Sequence, residues 1–297
     1  MKKYKVAIIG AGTAGLSARR EVAKYTDNYV VIDDGILGTT CARVGCMPSK
    51  VLIQTANDFY RRNVFTKQGI VGGDGLSIDT KKVMQHVRSL RDRFVRAVVK
   101  DMNEWSESHL IRQKARFVDT HTLQVGSERI EADSIVIATG SKPVIPGDWI
   151  KYRKYLIETD MFFELEALPK SIALVGLGVI GLELGQAFAK LGVGVHAFTS
   201  DNRLGGLTDP ELQGYAFKFF EQQFKITSGR VQSIEEEGDH IDLKTDIGLV
   251  TAEKIFLAMG RRPDLKQLGL EKAGVSLDKY GMPGFSTGSF NILSWRC

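Results

Sequence analysis

A glycine-rich turn set between an apolar strand and a helix occurs twice in this chain, and no other feature narrows its fold as far. In the first copy, residues 5–9 read as a short buried strand, Gly10-Ala11-Gly12-Thr13-Ala14-Gly15 as the turn and residues 16–24 as an alanine-rich helix. A second strand over residues 29–32 ends in Asp33, 23 positions after Gly10. Strand, G-x-G-x-x-G, helix, strand and acid in that order make a dinucleotide site. Gly10 permits the tight turn, Gly12 lets the backbone approach a pyrophosphate, and Gly15 lets helix and strand pack closely. The helix N-terminus then offers N–H donors to the phosphates, and Asp33 is placed to accept from the adenosine ribose hydroxyls.

The second copy begins 166 positions later. Residues 172–175 form the strand, Gly176-Leu177-Gly178-Val179-Ile180-Gly181 the turn, residues 182–191 the helix and residues 194–198 the next strand. Counting 23 from Gly176 reaches Thr199 rather than an acid. An acid there would favour NAD and repel the 2′-phosphate of NADP. Thr199 and Ser200 do neither, Arg203 could reach a phosphate, and Asp201 argues the other way, so the sequence leaves NADH against NADPH open. Two fingerprints imply two dinucleotides, and an enzyme that holds both passes a hydride between them.

Two further strands close these units. Residues 134–137 lead into Ala138-Thr139-Gly140, and residues 254–257 into Ala258-Met259-Gly260-Arg261-Arg262-Pro263. Thr139 and Gly140 complete the first nucleotide set, and Gly260 the second. The predicted fold is α/β, with two Rossmann-like dinucleotide-binding domains. A first domain spans 1–149, a second 150–265, and 266–297 begin a return to the first.

Composition excludes several other classes. Hydrophobic residues make up 43% and charged residues 25%, close to an ordinary soluble protein. No apolar run approaches the ~20 residues of a spanning helix. The apolar run before Gly10 is only four residues long, 6–9, too few for a signal-peptide core, so the expected compartment is cytoplasmic. Lys81, Lys82, Arg88, Arg91, Arg93, Arg96 and Lys100 make one basic stretch, while Val83, Val87, Leu90, Phe94, Val98 and Met102 recur at helical spacing. The basic residues are therefore read as the solvated side of an amphipathic helix, not as a nucleic-acid surface.

The three cysteines, Cys41, Cys46 and Cys297, cannot build a closed disulfide framework, and no Cys/His spacing suits a metal. Cys41 and Cys46 lie in Cys41-Ala42-Arg43-Val44-Gly45-Cys46-Met47-Pro48-Ser49-Lys50. Pro48 suits the first turn of a helix running through Val51, Leu52, Ile53, Ala56 and Phe59. Cys46 then sits at a helix N-terminus, which favours a thiolate. Cys41 is expected in the preceding loop, and Lys50, four positions on, shares the helix face of Cys46. In the cytoplasm such a pair points to a catalytic or redox-sensing disulfide.

G-x-G-x-x-G, C-x-x-x-x-C-x-P-S-K, A-T-G, a second G-x-G-x-x-G and G-R-R-P, in this order, resemble the class I pyridine nucleotide–disulfide oxidoreductases. Dihydrolipoyl dehydrogenases, glutathione reductases and mercuric reductases share that pattern, and the dihydrolipoyl dehydrogenases resemble the chain most. The resemblance implies FAD in the first unit and NAD(P)H in the second. It assigns substrate exchange to Cys41, the flavin-facing thiol to Cys46, a position near the flavin N5 to Lys50, and the partner of that lysine to Glu183. It also implies a small disulfide or dithiol substrate, including a carrier protein's lipoyl group, and a homodimer. Thr39 stands where the family has a second glycine, and Arg43 where it has asparagine.

Family members continue into a strand ending in G-D and a C-terminal dimerisation domain with an H-P-T…E acid–base pair. None of His86, His109, His121, His196 and His240 precedes a proline. After Pro283 the chain reads G-F-S-T-G-S-F-N-I-L-S-W-R-C. The expectation is a chain without the dimerisation domain, inactive alone, with a mercuric or other disulfide reductase and a non-enzymatic remnant as the alternatives.

Overall fold

The computed structural model describes residues 1–200, 203–246 and 248–284. Asp201 and Cys297 lie outside the described residues. Two compact units are present. One draws on residues 1–41, 94–142 and 262–284, the other on residues 42–93 and 143–261.

The first unit is built on a six-stranded sheet. Its spatial order is Leu110–Ile111, Tyr29–Ile32, Lys2–Ile9, Glu128–Ile137, Thr122–Val125 and Ala115–Phe117. The first four strands are parallel, and the last two are antiparallel additions. Ile8 pairs in register with Val31 and with Val136. Because side chains alternate across a strand, Ile8 and Val31 face one way, packing with Tyr29, Met102 and Trp105. Ala7, Ile9, Val30 and Ile32 face the other way, onto Leu123, Ile130 and Leu268. Each fully buried valine, leucine or isoleucine among them contributes roughly 1.5–3 kcal/mol. The antiparallel strands, of three and four residues, are too short to show a hydrophobic alternation in the sequence.

The second unit has a five-stranded parallel sheet in the order Lys225–Ser228, Gly194–Thr199, Ser171–Val175, Lys254–Leu257 and Leu156–Glu158. On one face Ile172, Leu174 and Phe256 pack with Leu184 and Phe188 of helix Val179–Lys190 and with Leu52 and Ala56 of helix Cys46–Tyr60. Phe162, Phe188 and Phe256 meet edge to face, with centroids 5.1–5.7 Å apart. On the other face Ala173, Val175 and Ile255 meet Ile234, Ile241 and Leu243. Those three come from an antiparallel sheet of Val231–Glu237, His240–Thr245 and Gly248–Ala252.

Three local expectations are corrected. The glycine-turn helices begin earlier than expected, at Thr13 and Val179, with Gly12 and Gly178 as their N-caps. Cys41 is not in a loop but in a short helix, Thr40–Val44. Gly38 and Thr39, both at positive φ, turn the chain into it, and the non-helical Gly45 separates it from the next helix. The basic helix spans Thr80–His109, and Arg91 lies on its buried side at 8% exposure rather than in solvent. Two carboxylates, Asp92 at 2.6 Å and Glu164, compensate its charge.

Candidate functional site

The two glycine turns repeat one geometry atom for atom. Gly10 has φ +109°, and a Cβ there would lie 2.3 Å from the Ala138 carbonyl oxygen; Gly176 has φ +100°, with 2.4 Å to that of Ala258. Gly15 and Gly181 are the close-packing glycines, since a Cβ would come within 1.8 Å of the Gly10 oxygen and 2.1 Å of the Gly176 oxygen. Gly12 and Gly178 differ, because nothing stands within 4 Å of the space a Cβ would fill. Their backbones are extended, with φ −78° and −67°. Each therefore leaves a bare backbone approach at a helix N-terminus, where the N–H groups and dipole favour phosphate. Thr139 and Gly140 follow strand Glu128–Ile137, and Gly260 follows Lys254–Leu257; both glycines are at positive φ.

Asp33 closes the first site and is held firmly. Its Oδ2 accepts from the Ala11 N–H at 2.6 Å and its Oδ1 from the Gly35 N–H at 2.7 Å. Arg112 lies 3.4 Å from the same carboxylate. Sequence reading missed Arg112, because strand Leu110–Ile111 reaches Asp33 only through pairing with Tyr29–Ile32. In the second site Thr199 is 4% exposed and its hydroxyl donates to the Arg203 carbonyl at 3.4 Å. Thr199 thus shapes the loop from within, while Ser200 and Arg203 are exposed. Gln213, also missed, accepts from the Leu204 N–H at 3.1 Å and steadies that loop.

Cys46 is the first residue of helix Cys46–Tyr60 and is exposed. Ser49 ties down the opening turn, its Oγ donating to the Cys46 carbonyl at 3.0 Å. Cys41 is half-buried. One turn beyond Cys46, Lys50 Nζ lies 2.6 Å from Glu183 Oε1. Glu183 comes from the helix that Gly178 caps, so the thiol-bearing helix and the second nucleotide helix are joined by an ion pair. Further along the same helices Lys190 Nζ donates to Asn57 Oδ1 at 2.8 Å. Arg261 makes a bidentate pair with Asp160, at 2.6 and 3.1 Å, anchoring the end of the G-R-R-P segment. Among the described residues there is no metal-binding cluster of His, Cys, Asp or Glu and no helix long and apolar enough to cross a membrane.

Fold and site together define an α/β protein with two dinucleotide-binding units and a thiol-bearing helix. The family pattern of pyridine nucleotide–disulphide oxidoreductases matches residues 4–284. The chain belongs to that family, whose cofactors are FAD and NAD(P)H, and the open faces at Gly12 and Gly178 fit their pyrophosphates.

A mercuric reductase of Staphylococcus aureus is 30% identical over 94% of this chain and 52% of its own length. A dihydrolipoyl dehydrogenase of the same species is 29% identical over 93% and 60%. The solved HOCl-induced flavoprotein disulfide reductase RclA from Escherichia coli shares the fold, with a TM-score of 0.80 at 21% identity over 95% of this chain and 62% of that one. The chain thus spans about half the length of the curated relatives it matches.

Proposed function

We propose that this chain carries the nucleotide-binding and thiol-bearing part of a disulfide reductase resembling dihydrolipoyl dehydrogenase. Its electrons would pass between a dithiol substrate, the Cys41–Cys46 pair, FAD and NAD(P)H. The observation that carries this reading is Cys46 opening a helix whose Lys50 is paired with Glu183 of the second nucleotide helix.

The bound cofactors supply two-electron transfer between flavin and nicotinamide. The chain's residues do the rest. With Cys41 and Cys46 joined as a disulfide, a substrate thiolate bonds to Cys41 Sγ and the S–S bond breaks, releasing Cys46 as a thiolate. The second substrate thiol then displaces Cys41, so the substrate leaves oxidised and the cysteine pair holds its two electrons. The N-terminus of helix Cys46–Tyr60 favours the negative charge on Cys46. Lys50 and Glu183 keep a positive and a negative group in fixed positions one turn further along. A lipoyl group on a carrier protein suits the exchange. A homodimer and a cytoplasmic setting go with this reading.

Anaerobic titration of the flavin-loaded chain tests it without requiring turnover. Two electrons per flavin should produce a long-wavelength thiolate-to-flavin absorbance. A protein that binds flavin and shows no such band at any stage of reduction would refute the assignment of Cys46. The likeness to mercuric reductase supports a second reading, reduction of Hg(II). Comparing lipoamide-dependent with Hg(II)-dependent oxidation of NAD(P)H separates the two.

A further inference from the structure

Strand Leu110–Ile111 delivers a pair of cations to the acidic end of strand Tyr29–Ile32. The two strands are parallel, with Val31 opposite Leu110 and Ile32 opposite Ile111. The pairing carries on past both strand ends, because the Asp33 N–H donates to the Ile111 carbonyl at 3.0 Å. Arg112 and Lys114 are thereby brought beside the adjacent acids Asp33 and Asp34.

The two acids are held differently. Lys114 Nζ lies 3.8 Å from Asp34 Oδ2, a loose pair in solvent that contributes little. Arg112 instead bridges carboxylate and loop: Nη1 donates to Asp33 Oδ1 at 3.4 Å and Nη2 to the Gly35 carbonyl. A guanidinium presents a planar fork of donors, which a lysine ammonium lacks. An ionised carboxylate offers about four acceptor positions, two on each oxygen. Oδ1 is filled by the Gly35 N–H and Arg112, whereas Oδ2 accepts only the Ala11 N–H among the described residues. The acceptor position left for a ligand is therefore on Oδ2, the oxygen tied to the first glycine turn.

We infer that Arg112 is a positioning residue for the adenosine end of FAD: it locks the Asp33 carboxylate so that Oδ2 stays available to a ribose hydroxyl. It thereby sets how strongly the first unit selects a cofactor with an intact adenosine ribose. A carboxylate fixed before binding loses less freedom when the hydroxyl arrives. The inference rests on the reading of the first unit as the FAD site and of Asp33 as its ribose acid.

Fluorescence titration of the flavin-free full chain with FAD, and with an FAD analogue lacking both adenosine ribose hydroxyls, tests it. Wild type should bind FAD more tightly than the analogue by about tenfold or more, as a hydrogen bond to a charged group gives. Arg112→Met should lose most of that preference, weakening FAD while leaving the analogue unchanged. In an Asp33→Asn background the same substitution should have no further effect, since Arg112 acts through Asp33. Arg112→Lys keeps the charge without the fork; it should show the same loss and serves should Arg112→Met not fold. A wild-type preference that survives intact in either variant would overturn the inference alone. So would a loss shared equally by the analogue, or one undiminished by Asp33→Asn, either of which means general damage to the loop. A wild-type chain that does not distinguish FAD from the analogue would remove the reading of Asp33, and the inference with it.

Discussion

Lys50 and Glu183 form one rung of a ladder whose second rung, Asn57 and Lys190, stands seven residues further along both helices. Seven residues are close to two helical turns, so the two helices run parallel with their partners in step. The rungs differ in character. Lys50 and Glu183 have side chains 59% and 40% exposed, whereas burial pushes the Lys190 ammonium below its ordinary value.

Glu183→Gln should therefore separate stability from chemistry. An ion pair this exposed contributes only about 0–1 kcal/mol to folding, so the denaturation midpoint should barely move. Flavin reduction by NADH, followed by stopped flow in flavin-loaded protein, should slow at least tenfold. A normal rate would remove Glu183 from the proposed machinery.

Lys190 yields a pH signature of known sign. Its folded value is depressed by burial, so the protonated side chain opposes folding until it loses its proton. As pH rises through the alkaline range below the ordinary lysine value, the folded state sheds that proton first and stability increases. Lys190→Met should lack this increase. Chemical denaturation of both proteins across that range measures the difference, and parallel curves would contradict it.

The glycines should divide into two groups by alanine substitution. Gly10→Ala and Gly176→Ala place a Cβ 2.3 and 2.4 Å from a backbone oxygen at strongly positive φ. They should cost at least about 2–3 kcal/mol or prevent folding. Gly12→Ala and Gly178→Ala meet open space, so folding should survive. Gly12→Ala should lose FAD affinity selectively and Gly178→Ala that for NAD(P)H, both read by direct binding.

Thr39 holds φ +63°, the sole described non-glycine residue at positive φ. A β-branched side chain is unfavourable there. Thr39→Gly should stabilise the chain by roughly 1 kcal/mol, seen as a raised urea midpoint at unchanged slope. A lower midpoint would show that the threonine side chain contributes more than the backbone strain costs.

Nicotinamide preference should be weak. Thr199 is turned inward onto the Arg203 carbonyl, which leaves Arg203 as the exposed cation near the expected ribose position. Arg203→Ala should weaken NADPH several-fold more than NADH, and added salt should narrow that gap. An unchanged NADPH affinity would place the 2′-phosphate elsewhere.

What could be read from the sequence was whatever depends on near neighbours along the chain. The glycine spacing, Asp33 at the end of its strand and Cys46 before Pro48 are all set by short-range backbone geometry, in which only certain residues fit. That was enough to specify two α/β nucleotide units and a helix with a cysteine at its start. The Lys50–Glu183 pair lay beyond such reading, because its partners are 133 positions apart, and only the family resemblance suggested it. Asn57–Lys190, the approach of Arg112 to Asp33 and the burial of Arg91 carried no sequence signal. Each depends on which helix faces packed together and which strands became neighbours. Burial of large apolar surfaces decides those arrangements, and the resulting packing determines which polar side chains find a partner.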